Sequence, residues 1–317
     1  MKPLRVAVVG AGVMGRYHAA MYASLPHAQL VAVVDPDPVR RAEVAAEFGT
    51  RGYATIEGLL ESEVIDAATV AAPTALHFLL TRRLLEAGVH VLVEKPVATH
   101  VEQARALREL SLRKGLVLQV GHITRFYRAV HELSDQVRRP YLIEARRLTP
   151  SARIKDVGVI LDLMIHDIDI VLRIVRSSVA SVAVAGHALN GRSFEDVAAA
   201  QVVFENGCIA RLLASRVAPD HERSMLVSEA HQTTRLDFAR EPETEVTIYR
   251  KSSGNGNSQV KRHTVREDNP LRMELDHFLA RIRSAAEPIG TLEDDIRSLE
   301  LATRLLAAMD LHRPALV

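Results

Sequence analysis

The chain contains 317 residues, of which 48% are hydrophobic and 25% are charged, with a formal net charge of +1. This length favours two domains, and the composition is that of a globular protein with a large core. The near-neutral charge argues against binding to nucleic acid or to a membrane surface, and the single cysteine, Cys208, suits a reducing cytosol. The apolar run near the N-terminus is too short for a membrane span and lacks a signal-peptide pattern, so we expect a cytoplasmic protein.

The N-terminal segment predicts a dinucleotide-binding loop. A strand-like run is followed by Gly10-Ala11-Gly12-Val13-Met14-Gly15, a predicted helix, and a second strand-like run that ends in Asp35. The first glycine permits the turn, the second lets the backbone approach a pyrophosphate, and the third allows helix and strand to pack closely. Asp35 is placed to accept hydrogen bonds from an adenosine ribose, which favours NAD over NADP. Arg40 and Arg41 are close enough in sequence to meet a 2′-phosphate, but we assign them to the solvated face of the next helix.

Strands and helices alternate through the first third of the chain. Further strands are predicted at Ala67–Ala72, His90–Val93 and Leu116–Val120, with helices between them. This alternation predicts a doubly wound parallel sheet, whose ligands bind beyond the carboxyl ends of the strands. Those ends carry three distinctive groups, which are Pro73-Thr74 with His77, Glu94-Lys95-Pro96, and Gly121-His122.

Beyond residue 123 the pattern changes to long strand-like runs. Glu205-Asn206-Gly207 marks a hairpin turn between two of them, and Thr291, with Asp294 three residues later, marks the start of a helix near the C-terminus. The sequence therefore predicts an α/β protein with a Rossmann domain over residues 1–122. An α+β domain with a largely antiparallel open sheet is predicted over residues 123–317, and its C-terminal helices can pack back on the first domain.

A nearly all-apolar helix is predicted from Val157 to Arg176, which indicates burial. Its polar side chains recur every three or four residues and form one stripe. They are Asp162, His166, Asp169, Arg173 and Arg176. An aspartate one turn before a histidine is a candidate proton-transfer pair, and a structural ion network is an equal alternative.

Five motifs occur in order along the chain. They are Gly10-x-Gly12-x-x-Gly15, Pro73-Thr74-x-x-His77, Glu94-Lys95-Pro96, Arg125-Phe126 and Asp162-x-x-x-His166. Together they resemble the glucose–fructose oxidoreductase / inositol dehydrogenase (Gfo/Idh/MocA) family over the whole length. The resemblance implies an NAD(P)-dependent sugar or polyol oxidoreductase that uses no metal and forms a homodimer or homotetramer.

The resemblance also implies roles for individual residues. Lys95, His166 and Asp162 are the expected catalytic groups, because oxidation of a secondary alcohol needs a proton acceptor and a cation beside the developing alkoxide. Either Lys95 or His166 can be the base. Besides the glycine loop and Asp35, the expected cofactor contacts are Pro73, Thr74, His77, Glu94 and Lys95. His77 has a second interpretation, in which it only packs on its helix.

The substrate is inferred from local resemblance around residues 121–126 and 156–169 to UDP-N-acetylglucosamine 3-dehydrogenases. This resemblance implies oxidation of a nucleotide sugar at C3, upstream of an aminotransferase. The expected substrate contacts are His122, Arg125, Arg153, Asp162 and His166, with Arg153 as the candidate for the diphosphate. The alternatives are a dehydrogenase of a free polyol such as inositol and a non-catalytic NAD-sensing regulator.

Overall fold

A computed structural model describes residues 2–150, 156–189, 193–240, 242–250, 259–284 and 286–312. The chain divides into two compact units. The first consists of Met1–Ile123 and Pro270–Ile296, and the second of Thr124–Asn269 and Arg297–Val317. Within the described residues, we find no helix with the length and apolar character needed to cross a membrane.

The strands form two sheets, and their bounds are as follows. They are β1 (Leu4–Val9), β2 (Ala28–Val34), β3 (Arg51–Tyr53), β4 (Ala67–Val70), β5 (His90–Glu94), β6 (Leu118–Gly121), β7 (Leu142–Leu148), β8 (Val179–His187), β9 (Val197–Phe204), β10 (Ile209–Ser215), β11 (Glu222–Ser228), β12 (Gln232–Arg240), β13 (Glu243–Arg250), β14 (Gln259–Arg266) and β15 (Asp310–His312).

The α-helices occur in both units. They are α1 (Val13–Ser24), α2 (Pro38–Glu47), α3 (Ile56–Ser62), α4 (His77–Glu86), α5 (Val101–Lys114), α6 (Arg128–Gln136), α7 (Ile165–Val175), α8 (Pro270–Ile282) and α9 (Leu292–Ala308). A π-helix, Ile160–Met164, leads directly into α7.

The first unit is a doubly wound parallel sheet, as predicted. Its strand order is β3-β2-β1-β4-β5-β6, and every neighbouring pair is parallel. Successive strands are added toward one edge of the sheet from β1 to β3 and toward the other edge from β4 to β6. Ligands of such sheets bind at this switch point, between β1 and β4. The apolar face of α8, including Leu275 and Phe278, belongs to the same buried cluster as Val6 on β1 and Tyr22 on α1.

The second unit contains a nine-stranded, mostly antiparallel sheet in the order β14-β13-β12-β11-β7-β10-β9-β8-β15. The pairs β7–β10 and β8–β15 are parallel. The predicted hairpin lies between β9 and β10, where Gly207 has a φ of 85°. Residues of β9 alternate between buried and accessible, so that one face of this strand, including Ala199 and Gln201, is exposed in the single chain.

Three short or polar elements, β3, α3 and β14, were not predicted from the sequence. The strand β3 has only three residues, and the helix α3 only seven, so both are shorter than the stretch over which an apolar period can be recognised. Most side chains of β14 are exposed, which removes the alternation that marks a half-buried strand. The predicted start of α9 is confirmed, because Thr291 Oγ1 accepts a hydrogen bond from the Asp294 N–H at 3.2 Å and the Thr291 N–H donates to Asp294 Oδ2 at 2.9 Å.

Candidate active site

The glycine loop between β1 and α1 has the geometry of a dinucleotide cradle. Gly10 has a φ of 99°, which lies in the left-handed region that favours glycine. A Cβ on Gly10 or Gly15 would overlap backbone atoms, whereas a Cβ on Gly12 would meet no atom of the described residues within 4 Å, its chain neighbours apart. The space at Gly12 is therefore open to a ligand, and Val13 and Met14 begin the helix whose positive end stabilises a pyrophosphate.

Asp35 follows β2 and is tied to the glycine loop. Its carboxylate is 5% exposed and accepts hydrogen bonds from the N–H groups of Ala11 at 2.8 Å and Asp37 at 2.9 Å. Arg40 Nη2 lies 3.3 Å from Asp35 Oδ1. Because a carboxylate offers about four acceptor positions, Asp35 retains capacity for a ribose hydroxyl. A 2′-phosphate at the same place would meet its negative charge.

The Glu94-Lys95-Pro96 turn follows β5, and its acid is anchored to α1. His18 Nε2 lies 2.8 Å from Glu94 Oε1, with His18 fully buried. Burial acts to raise the pKa of Glu94, but the hydrogen bond with His18 and the positive charge of Lys95 hold that pKa below its usual value. No sequence pattern indicated the role of His18, although it lies three residues after Gly15 on the same helix. The Lys95–Pro96 peptide bond is cis.

The segment after β4 packs against this turn. Pro73 is exposed, and Thr74 is 4% exposed at the start of a short 3₁₀ helix that leads into α4. His77 is 1% exposed, and its Nδ1 and Nε2 atoms each lie 2.8 Å from a backbone carbonyl oxygen, of Pro96 and Ala72 respectively. His77 thus links two loops of the first unit, and a contact between its ring and the cofactor stays a prediction.

His122 lies just beyond β6 and is 1% exposed. Its Nε2 atom is 3.6 Å from Oδ1 of Asp295, a buried carboxylate on α9. Both residues belong to the first unit. A contact between His122 and substrate stays a prediction.

Asp162 and His166 lie on the helix that begins as a π-helix. The Asp162 N–H donates to the carbonyl oxygen of Gly158 at 3.0 Å, and the Asp162 side chain is 7% exposed. His166, one turn later on α7, is partly exposed. Single π-helical turns occur frequently at functional sites. Asp162 and His166 therefore lie close in sequence on one helix of the second unit, whereas Lys95 belongs to the first unit.

Two buried, bidentate ion pairs hold this helix. Arg125 Nε and Nη2 donate to Asp169 Oδ2 and Oδ1 at 2.9 and 2.6 Å, and Arg147 Nε and Nη2 donate to Asp167 at 3.0 and 2.7 Å. The structural ion network that the sequence left as an alternative is therefore present at Asp169. The roles of Arg125 and Arg153 in substrate binding stay predictions, and Arg153 lies outside the described residues.

Glu195 positions the start of the π-helix, a role that was not predicted from the sequence. Its Oε1 atom accepts a hydrogen bond from the Ile160 N–H at 2.9 Å, and its carbonyl oxygen accepts one from the Val159 N–H at 3.1 Å. A Cβ on Gly158 would overlap this carboxylate, so the glycine makes room for it. Burial raises the pKa of Glu195. The carboxylate is 35 residues from Ile160, and no local pattern connects them.

The single cysteine and the possible metal ligands are also candidates for reactive groups. Cys208 is 1% exposed, and burial raises the pKa of its thiol to about 11. The thiol is therefore uncharged near neutrality, as expected for a small buried hydrophobe. Within the same described residues, no group of three or more histidine, cysteine, aspartate or glutamate side chains is arranged to hold a metal ion.

Family models match both halves of the chain. Residues 4–122 match the oxidoreductase family with an NAD-binding Rossmann fold, Gfo/Idh/MocA, and residues 128–237 match the C-terminal domain of that family. The open space at Gly12 and the buried carboxylate of Asp35 fit the NAD that the first model describes.

Individual relatives cover nearly the whole chain. UDP-N-acetylglucosamine 3-dehydrogenase from Acidithiobacillus ferrooxidans is 34% identical over 293 residues, which cover 90% of each chain. A structure of that enzyme superimposes with a TM-score of 0.87 over 98% of each chain, at 31% identity. The NAD⁺-dependent scyllo-inositol 2-dehydrogenase from Bacillus subtilis is 28% identical over 316 residues, which cover 94% of this chain and 92% of the relative.

A more distant structure shares the fold alone. GenD2 from gentamicin A biosynthesis, solved in complex with NAD, superimposes with a TM-score of 0.84 at 21% identity and covers 97% of this chain and 94% of its own. The motif order, the two-sheet architecture and these matches agree. The chain therefore belongs to the Gfo/Idh/MocA family and is an NAD-dependent oxidoreductase.

Proposed function

We propose that this enzyme uses NAD to oxidise the C3 hydroxyl of UDP-N-acetylglucosamine to the 3-keto sugar. The observation that carries the proposal is the 34% identity to UDP-N-acetylglucosamine 3-dehydrogenase over 90% of each chain. Retention of Lys95, Asp162 and His166 supports a catalytic protein rather than an NAD-sensing regulator.

The chemistry requires a hydride to leave C3 and a proton to leave its hydroxyl group. NAD held by the glycine loop and Asp35 would supply the hydride acceptor. His166 takes the proton, since an imidazole is suited to proton transfer near neutrality, and Asp162 stabilises the ring once it is charged. Lys95 stabilises the developing alkoxide, and the anchored Glu94 keeps the backbone beside Lys95 in place.

A nucleotide handle gives binding energy remote from the reacting carbon. That energy orients the sugar ring for hydride transfer, so that removing the handle lowers turnover as well as affinity. His122, Arg125 and Arg153 remain the proposed substrate contacts, with Arg153 assigned to the diphosphate. If Arg125 binds substrate, it does so while holding Asp169, because that bidentate pair is buried.

A polyol dehydrogenase is the second candidate, and the observation favouring it is the similarity to scyllo-inositol 2-dehydrogenase over 94% of this chain. The same catalytic residues serve that reaction. The nucleotide-sugar dehydrogenase needs a diphosphate on its substrate, whereas the polyol dehydrogenase does not. Only the second candidate should therefore oxidise a free polyol or sugar efficiently.

The biological setting of the reaction is part of the proposal. We place the enzyme in the cytoplasm, as a homodimer or homotetramer, with an aminotransferase that consumes the keto sugar. The exposed face of β9 is a candidate surface for self-association. Sedimentation at several protein concentrations tests the oligomer, and a monomer at every concentration would remove it from the proposal.

The test is a comparison of substrates in one assay. NADH formation is followed with UDP-N-acetylglucosamine, free N-acetylglucosamine, scyllo-inositol and myo-inositol, with an aminotransferase and amino donor present to draw off a keto sugar. We expect turnover with the UDP-sugar and very little with the free sugar. Robust inositol oxidation without any UDP-sugar turnover would establish the second candidate instead.

A further inference from the structure

The imidazole of His77 lies between two backbone carbonyl groups. Nδ1 is 2.8 Å from the oxygen of Pro96, and Nε2 is 2.8 Å from the oxygen of Ala72. The side chain is 1% exposed, so water does not compete freely for either position. Ala72 follows β4, whereas Pro96 closes the turn after β5, so that the ring spans the ends of two adjacent strands.

Both of these ring contacts require a proton on nitrogen. A carbonyl oxygen only accepts hydrogen bonds, and a neutral imidazole carries one N–H and one acceptor nitrogen. In either neutral tautomer, a lone pair on nitrogen would face a carbonyl oxygen at 2.8 Å. The protonated ring donates at both positions and makes two charge-assisted hydrogen bonds.

The charges around His77 act in both directions. Glu94 favours the cation, and the positive charge of His77 is among the influences that hold the pKa of Glu94 low against the opposing effect of burial. Lys95 and the N-terminus of α4, which begins at His77, oppose it. The connecting segment from Ala71 to Leu76 contains no titratable side chain. Burial of the ring also opposes the cation, whereas the two direct hydrogen bonds and the adjacent carboxylate favour it.

We propose that His77 is a doubly protonated imidazolium across the neutral pH range and that it is a positioning residue for Lys95. By donating to Pro96 and Ala72, it fixes the backbone that follows Lys95 to the end of the neighbouring strand. It acts through that backbone and not through a contact with substrate. The charge state stands apart from the proposed function, whereas the effect on Lys95 rests on the catalytic role given to that residue.

Nitrogen NMR of the wild-type protein with ¹⁵N-labelled histidine tests the charge state directly. At a pH about two units above the ordinary histidine pKa of about 6.5, we expect two protonated nitrogens in the His77 ring. The His77→Gln variant assigns the signal. His90 is the matched internal control, because its Nδ1 accepts a hydrogen bond from the Val117 N–H at 2.9 Å and burial lowers its pKa. A neutral His77 tautomer at that pH would overturn the proposal.

Kinetics of two variants test the positioning role on whichever substrate the preceding assay identifies. His77→Leu removes both donors, and we expect kcat to fall roughly 10- to 100-fold, because Lys95 is displaced. His77→Gln retains an N–H donor and should recover part of the loss. A histidine that only stabilised the fold would lower the melting temperature and leave kcat unchanged, and that result would overturn the role. If the enzyme does not turn over the UDP-sugar, the proposed function fails, but the NMR result still decides the charge state of His77.

Discussion

The glycine loop of the first unit and the π-helix of the second both shape the start of a helix, but by different means. The loop uses backbone conformation, with a φ of 99° at Gly10 and open space at Gly12. The π-helix and the α7 helix that continues it use buried side chains: Glu195 accepts from the Ile160 N–H at the start, and Arg125 donates to Asp169 farther along, on α7. The first arrangement is local in sequence, whereas the partners in the second are 35 and 44 residues apart. A change at Gly12, where the loop leaves open space, should therefore affect the ligand first, and changes in the ion pairs should affect the fold first.

The largest effect on stability is expected at Asp169. Asp169→Asn leaves Arg125 buried without its full counter-charge, and breaking a buried pair in this way costs about 3–5 kcal/mol of unfolding free energy. The matched control is Glu144→Gln, because Arg211 and Glu144 form an exposed pair at 3.4 Å, for which the expected cost is about 0–1 kcal/mol. Chemical denaturation measures both. Equal losses of unfolding free energy in the two variants would mean that burial does not make the Arg125–Asp169 pair more stabilising than an exposed pair.

The largest effect on turnover is expected at Lys95 and His166. Lys95→Ala and His166→Ala should each lower kcat by roughly 100-fold or more while leaving NAD binding nearly intact, as is usual for a positioned acid–base group. Asp162→Asn should cost less, because it removes a group that acts on His166. The control is Lys114→Ala, in which an exposed lysine at the end of α5 is removed. Near-normal turnover in either catalytic variant would refute the role of that residue.

The glycines separate ligand effects from folding effects within one loop. Gly12→Ala places a methyl group in open space, so we expect unchanged thermal stability and NAD affinity weakened by roughly tenfold or more. Gly15→Ala makes the methyl group overlap the backbone carbonyl of Gly10, which forces the loop to shift, so we expect a loss of about 3 kcal/mol or more in stability. Calorimetric titration with NAD and thermal unfolding measure the two effects. If Gly12→Ala bound NAD normally, the open space would not be the pyrophosphate site.

The smallest effect is expected at Asp35. Asp35→Ala removes an acceptor for the ribose and the charge that disfavours a 2′-phosphate, so NAD should bind several-fold more weakly and the preference over NADP should narrow. Titration of both cofactors against the wild type and the variant measures the change. Tighter binding of NADP than NAD by the wild type would contradict the assignment.

The sequence predicted those features whose cause is local. The glycine loop, the strand alternation, the hairpin at Gly207 and the capping of α9 by Thr291 each depend on residues within a few positions of one another. The polar stripe was likewise visible from its spacing, including Asp162 and His166. These features determine the fold class, the cofactor and the family.

Long-range partners could not be predicted in the same way. Asp167 lies off the stripe, and its bidentate pair with Arg147 joins α7 to β7 across 20 residues. His18 meets Glu94 across 76 residues, and Glu195 has no sequence pattern that relates it to the π-helix. The π-helix was not predicted either, because the apolar periodicity of the segment indicates a helix without distinguishing a π-helical turn from an α-helical one.

Transfer of a deuterium atom from the substrate tests the central claim most directly. The wild-type enzyme is incubated with NAD and UDP-N-acetylglucosamine that carries deuterium at C3, and the reduced cofactor is analysed by mass spectrometry. The account predicts one deuterium in the reduced cofactor and a slower reaction than with unlabelled substrate whenever hydride transfer limits the rate. Formation of reduced cofactor that carries no deuterium would contradict oxidation at C3. Reduction of the cofactor by a polyol but not by this substrate would contradict it as well.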